Sequence, residues 1–79
     1  MAVERNILVS ILKLTRSGPV AKELVSRDAN VPAQVADEAL KKFRDAGLVE
    51  WKDRTIEASS NQRVKIAIHA IKSGADFER

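Results

Sequence analysis

The first fourteen residues carry apolar side chains at the spacing of an α-helix. These side chains recur every three or four positions, which places them along one side of a helix. The positions that share this spacing are Val3, Ile7, Leu8, Ile11, Leu12 and Leu14. The pattern predicts an amphipathic first helix over residues 3–14. Ser17-Gly18-Pro19 ends it, because proline cannot continue the helical hydrogen-bond ladder, and Val20 adds a brief extended piece.

A short second helix is predicted over residues 21–27, with Leu24 and Val25 facing inward. Asp28-Ala29-Asn30 follows as a tight turn, because asparagine adopts positive φ more readily than most residues. A third helix is then expected to begin at Pro32, whose fixed φ suits a first helical position.

The third helix is predicted to run to Ala46, with Gly47 as its C-cap. Its spacing divides the helix into one packing side and one outward side. The inward positions are Val35, Ala36, Ala39, Leu40 and Phe43. The outward positions are Gln34, Asp37, Lys41 and Arg44.

Residues 48–51 and 55–58 contain the β-branched and aromatic side chains typical of strands, and the polar segment between them is short enough for a hairpin loop. The loop, Lys52-Asp53-Arg54, contains no glycine, so the hairpin is expected to be short. The predicted fold class is therefore mainly α with one small β-hairpin: a three-helix core and a fourth, C-terminal helix.

The fourth helix is introduced by Ser59 and Gln62, which have the spacing of a capping box. It is predicted to end at Ser73-Gly74. The inward side is expected to hold Val64, Ala67, Ile68 and Ile71, and the outward side Gln62, Lys65, His69, Lys72 and Ser73. Ile66 belongs to neither side, and an isoleucine near the polar side of a terminal helix predicts a partner surface that covers it.

The 79 residues suffice for one domain with one shared core. We assign residues 1–74 to this domain and residues 75–79 to the start of a further helix or tail, as expected of a domain cut from a longer protein. The chain contains no cysteine and no apolar run long enough to span a membrane. We therefore expect a cytoplasmic protein without disulfides, thiolate metal sites or membrane contact.

The net charge of +3 permits a polyanionic partner, and the excess of basic residues lies towards the two ends of the sequence. Catalytic chemistry finds no support in the residue pattern. His69 lacks metal-ligand partners and a nearby nucleophile, and no glycine-rich phosphate loop is present. We expect no enzyme activity, no cofactor and no metal.

The order of predicted elements resembles the winged helix-turn-helix family over residues 3–73. The best-matching stretch runs from Gly18-Pro19-Val20 to Ala46-Gly47-Leu48-Val49-Glu50, because a glycine, a Leu-Val pair and a strand directly after the third helix are habitual in that family. The segment from Asn61-Gln62-Arg63-Val64 to the C-terminus is also similar to the region that joins an N-terminal winged helix to the nuclease part of archaeal RecB-like proteins.

The resemblance implies binding to double-stranded DNA, with the third helix in the major groove and the hairpin on the backbone. It makes Gln34, Asp37 and Lys41 candidate base contacts. The candidate phosphate contacts are Arg44, Lys52 and Arg54, with Lys22 and Arg27 from the second helix. Transcription regulation and the targeting of a larger nucleic-acid enzyme are both consistent with this family.

Acidic residues depart from the pattern of a strong DNA binder. Asp37, Glu38 and Asp45 cancel the cations of the third helix, and Glu50 and Asp53 weaken the wing. A solvated helix face therefore stays open as the alternative for the candidate base contacts. For Asp37 and Glu38, ion pairs with Lys41 and Lys42 at helical spacing are expected. Trp51 is expected to cover the core edge rather than to stack on a base.

A rival interpretation is a protein-interaction or dimerisation domain that uses the first and fourth helices. Either a second copy or a following domain of the same protein would then be the partner. The residues assigned to this interface are Val9, Ile66, His69 and Phe77. The balanced charge of the third helix favours this alternative.

Overall fold

The computed structural model describes residues 2–73. Four helices and three short strands follow one another in the predicted order. They are α1 (Ala2–Leu14), a 3₁₀ turn (Thr15–Ser17), β1 (Val20–Ala21), α2 (Lys22–Ala29), α3 (Ala33–Asp45), β2 (Glu50–Lys52), β3 (Thr55–Glu57) and α4 (Ser60–Lys72). The mainly helical fold with a small hairpin wing is confirmed. The predicted further helix over residues 75–79 lies outside the described residues.

The hairpin strands form an antiparallel sheet with β1, in the order β1-β3-β2. Ile56 at its centre is buried and lies between Val20 of β1 and Trp51 of β2. The backbone N–H of Lys22 donates to the carbonyl oxygen of Arg54 at 3.1 Å. The brief extended piece predicted at Val20 therefore attaches the start of α2 to the tip of the hairpin.

The turn between α2 and α3 has the predicted left-handed residue. Asn30 has a φ of 58°, and its N–H donates to the carbonyl oxygen of Arg27 at 3.1 Å. The next N–H, of Val31, donates to Ser26 at 3.0 Å. These two bonds satisfy carbonyl groups that a helix end otherwise leaves open. Pro32 is the N-cap rather than the first helical residue, so α3 begins one position later than predicted.

Gly47 ends α3 by the same device, with a φ of 79°. Its N–H donates to Arg44, and the N–H of Leu48 donates to Phe43, both at 2.9 Å. A residue with a Cβ atom adopts this left-handed backbone only with steric strain, whereas glycine adopts it freely. The chain therefore turns sharply from α3 into the hairpin, which fixes the direction of the wing.

One core is formed by all four helices and the sheet. Its centre is the predicted stripe of α1, where Ile7, Leu8 and Ile11 are almost wholly inaccessible to water. The other helices, the sheet and the connection from α3 to β2 add the remaining buried apolar side chains: Val20, Val25, Ala29, Ala36, Ala39, Leu40, Phe43, Leu48, Val49, Ile56, Ile66 and Ala70.

The predicted inward side of α4 is wrong. Ile66 and Ala70 are 0% exposed, whereas Val64, Ile68 and Ile71 are 60%, 47% and 56% exposed. The helix carries apolar residues on two nearly opposite sides, so its periodicity alone allows either orientation.

Polar contacts account for the orientation that α4 adopts. The Ser59–Gln62 capping box is present as predicted. The Gln62 side-chain amide also donates to the carbonyl oxygen of Gly47 at 3.2 Å, and the Arg63 guanidinium donates to the Thr15 hydroxyl at 2.7 Å. These contacts direct the side of α4 that holds Arg63, Ile66 and Ala70 towards the rest of the domain.

Leu24 and Val35 were also predicted to face inward, and they are 46% and 38% exposed. In α2 the buried positions are Val25, Ser26 and Ala29. Small side chains at two of these three positions let α2 approach its neighbours closely, which leaves Leu24 at the edge of the contact.

The orientation of α4 predicts that two similar substitutions change the free energy of unfolding by very different amounts. Ile66→Ala should lower the free energy of unfolding by about 2–4 kcal/mol, because it leaves a cavity in the core. Val64→Ala, two residues earlier, should change it by less than about 0.5 kcal/mol, because the side chain is already exposed. Urea unfolding followed by circular dichroism measures both. A larger loss for Val64→Ala would contradict the orientation described here.

A polar cluster joins α1 to α2. The buried Ser10 hydroxyl donates to a carboxylate oxygen of Asp28 at 2.6 Å, and the Lys13 ammonium lies 2.9 Å from the other oxygen. The Ser10 hydrogen bond and the Lys13 contact hold the pKa of Asp28 below its usual value. Because the ionised carboxylate is the stabilised form, the cluster strengthens the fold only while Asp28 stays ionised.

Asp28→Asn should therefore destabilise the protein in a pH-dependent way. At pH 7 we expect a loss of about 0.5–1 kcal/mol, since the carboxylate is partly solvated. The contribution is complete above the usual aspartate pKa of about 4 and is lost as the pH falls through the lower folded-state value. Urea titrations of both proteins at pH 7 and under acid conditions should show the difference closing on acidification. A constant difference would contradict this role for Asp28.

Candidate nucleic-acid interface

The outward side of α3 is solvent-exposed as predicted. Gln34, Asp37, Lys41 and Arg44 are three or four residues apart and all are exposed. Within residues 2–73, the Gln34 and Lys41 side chains make no hydrogen bond or ion pair. Both are therefore free to contact a partner without first breaking an intramolecular bond.

The ion pairs of α3 differ from those predicted. Asp37 faces Lys22 of α2 at 3.8 Å, and Lys42 pairs with Glu4 of α1 at 2.8 Å. The expected pairs within α3 are absent from the described part of the chain. These two pairs join α3 to other helices, whereas a third, between Arg44 and Asp45 at 3.4 Å, lies within α3. Lys41 forms no ion pair with any residue in 2–73.

Trp51 lies between two of the predicted DNA contacts. The Lys22 ammonium is 4.3 Å from the centre of its indole ring, and the Arg44 guanidinium carbon is 4.4 Å from it. Trp51 itself is half-buried and packs against the core, as predicted. A cation over the face of an indole is attracted to the negative potential of the ring. The tryptophan therefore links α2, α3 and the wing.

The wing presents two cations of different availability. Lys52 pairs with Glu57 across the hairpin at 3.1 Å. Arg54, at the tip beside the left-handed Asp53, makes no side-chain hydrogen bond or ion pair to any described residue. It lines a shallow depression together with Lys22 and Asp37. Arg54 is thus the wing residue best placed to meet a phosphate group.

The structure brings four of the eight predicted DNA contacts together around Trp51 and the adjoining depression. Lys22, Asp37, Arg44 and Arg54 surround Trp51 or the adjoining depression. Arg27 lies apart, at the far end of α2, where it lines a second depression with Asn30 and Pro32. Helical spacing had predicted the exposure of the α3 side chains, whereas the link through Trp51 depends on strand register and could not be inferred from that spacing.

The residues assigned to a second interface are only partly exposed. Val9 is half-buried and His69 is exposed, whereas Ile66 is in the core and cannot contact a partner. Phe77 lies outside the described residues. Sequence reasoning missed the exposed Val64, Ile68 and Ile71, although their spacing of four and three residues was a visible signal.

Charge is distributed unevenly over the two sides of the domain. Residues 18–59, which include α2, α3 and the hairpin, contain seven basic and eight acidic side chains. Residues 2–17 and 60–73, which include α1 and α4, contain six basic residues and one acidic residue, Glu4. The candidate DNA-binding side is thus nearly neutral, and the net positive charge lies with α1 and α4.

The described residues contain no group of three or more His, Cys, Asp or Glu side chains that is arranged to hold a metal ion. None of the helices in residues 2–73 has the length and apolar character needed to cross a membrane.

No protein-family model, curated protein or solved structure matches the chain.

The contact between Trp51 and Arg44 predicts a measurable coupling. Arg44→Met and Trp51→Leu each remove one partner, and in a double-mutant cycle we expect a coupling of about 0.5–1 kcal/mol in the free energy of unfolding. Lys41→Met is the matched control, since Lys41 lies on the same helix without a partner and should not couple to Trp51. Urea unfolding of the six proteins measures both cycles. Equal couplings would contradict the contact.

Proposed function

We propose that this chain is a DNA-binding domain that places α3 in the major groove and the β2–β3 hairpin against the backbone. The proposal depends on Gln34 and Lys41, which have no polar partner within residues 2–73 and lie on the exposed side of a helix that packs on α1 and α2. A helix of this kind fits the major groove, where base edges present donors and acceptors. A short connection from α3 to the hairpin keeps the wing beside it.

The side chains have different roles in this complex. Gln34 has the donor and acceptor needed to pair with adenine, and Lys41 donates to guanine. Arg54 contacts phosphate from the tip of the wing, and Arg44 does so from the end of α3. Because Trp51 restrains Arg44, less side-chain entropy is lost when Arg44 meets the backbone.

The near-neutral charge of residues 18–59 limits the strength of binding. Asp37 lies among the cations and repels phosphate, and Lys52 must exchange Glu57 for the backbone. Few net counterions are then released when the complex forms, so affinity should be modest and set by a small number of phosphate contacts. Removing one cation that binds phosphate should reduce the salt dependence by about one unit of log K per log salt.

The proposal predicts that binding to labelled duplex DNA depends on the α3 and wing cations. Lys41→Ala combined with Arg54→Ala should weaken binding at least about tenfold at low salt and make the salt dependence shallower. Fluorescence anisotropy at two or more ionic strengths measures both effects. Gln34→Ala, in turn, should reduce discrimination between sequences more than it reduces overall affinity.

Lys65→Ala combined with Lys72→Ala is the matched control, because it removes the same charge from α4, which holds none of the predicted DNA contacts. It should leave DNA affinity nearly unchanged. Absence of binding at low salt would refute the proposal. An equal or greater loss in the control would also refute it, since the basic α1 and α4 side would then hold the DNA.

A further inference from the structure

The outer face of α4 is an apolar stripe that the described part of the chain leaves uncovered. Val64, Ile68 and Ile71 lie four and three residues apart, and each is about half exposed or more. Single exposed aliphatic residues are common on protein surfaces, but three in one line form a continuous surface. We call these three residues the α4 stripe.

The other residues in 2–73 cannot cover the α4 stripe without turning the helix. Its residues lie nearly opposite Ile66 and Ala70, which are buried in the core, and Arg63 and Gln62 fix that orientation. Turning the stripe inward would expose Ile66 and break both polar contacts. Spacings of four and three residues are those of a seam between two packed helices. The geometry therefore suits a helix as the occupant.

The charges beside the stripe indicate the chemistry of that helix. Lys65 and Lys72 follow Val64 and Ile71 along the same edge, and α4 contains no aspartate or glutamate. Both lysines are exposed and, within residues 2–73, neither forms an ion pair. An apolar seam with a basic rim is complementary to an apolar seam with an acidic rim.

A second copy of the chain fits this surface poorly. Pairing two α4 helices would bring four lysines to one contact, and α4 itself has no carboxylate to compensate them. The neighbouring α1 has one acidic residue, Glu4. Glu4 is already paired with Lys42 at 2.8 Å. Like charges across an interface oppose association.

Nucleic acid and lipid also fit less well than protein. A phosphate backbone has no apolar surface to cover the isoleucines. The helix has no tryptophan, phenylalanine or leucine, which are the residues that helices lying in a membrane interface typically carry on their apolar face. A protein helix satisfies both the apolar stripe and the basic rim.

We infer that the α4 stripe, together with Lys65 and Lys72, is a docking site for an acidic amphipathic helix of another protein. The partner places its apolar residues over Val64, Ile68 and Ile71, and its carboxylates meet the two lysines. This site lies on α4 and shares no residue with the candidate DNA contacts. It goes beyond DNA binding and does not depend on it.

The test uses a labelled synthetic helix with leucine at heptad positions a and d and glutamate at e and g. A second peptide replaces every glutamate with lysine. With the full 79-residue chain, anisotropy should show the acidic peptide binding at least about tenfold more tightly than the basic one. Ile68→Ser combined with Ile71→Ser should weaken it at least about tenfold.

Two variants make the comparison specific. Leu24→Ser removes an equally exposed leucine from α2 and should leave peptide affinity unchanged. Lys65→Glu combined with Lys72→Glu should reverse the preference, so that the basic peptide binds better. Circular dichroism checks that each variant folds, which we expect because all five side chains are exposed.

Several results would overturn the inference. One is failure of the acidic peptide to bind, or binding that is unaffected by Ile68→Ser with Ile71→Ser. Another is self-association in sedimentation velocity that this variant abolishes, which would make a second copy the occupant. Co-sedimentation with phosphatidylserine vesicles that the same variant abolishes would make a membrane the occupant.

Discussion

Burial of the α1 stripe is the constraint on which the other elements depend. Ile7, Leu8 and Ile11 are almost completely shielded from water, and α1 packs against α2, α3 and α4. A domain of this size has one core, so each helix can cover only part of its neighbours. The outer sides of α2 and α3 are therefore exposed to solvent, and α4 covers α1 with one of its two apolar sides. The exposed surfaces of the protein follow from this shared core.

Local sequence signals predicted the elements well because they act over a few residues. Asn30, Gly47 and the Ser59–Gln62 capping box determine helix ends through their own backbone or through neighbours three residues away. The stripe of α1 was equally clear, since only one of its sides is apolar. In each case a single local solution satisfies the hydrogen bonds and the hydrophobic pattern.

Orientation could not be predicted where two solutions were locally equivalent. In α4 both sides are apolar, and Arg63 and Gln62 decide between them through Thr15 and Gly47, which are distant in sequence. The same limit applies to Asp37, whose partner Lys22 comes from another helix. Periodicity describes one helix at a time, whereas these contacts depend on how the helices meet.

The uneven distribution of charge gives the two sides of the domain different capacities. Around Trp51, cations and carboxylates are interleaved, and such a surface can position a few phosphate groups without strong attraction at long range. Along α4, Lys65 and Lys72 have no carboxylate on the same helix and border exposed isoleucines. A partner bound there would gain both apolar burial and charge complementarity. The exposed residues of α3 and the outer face of α4 are thus two chemically different surfaces supported by one core.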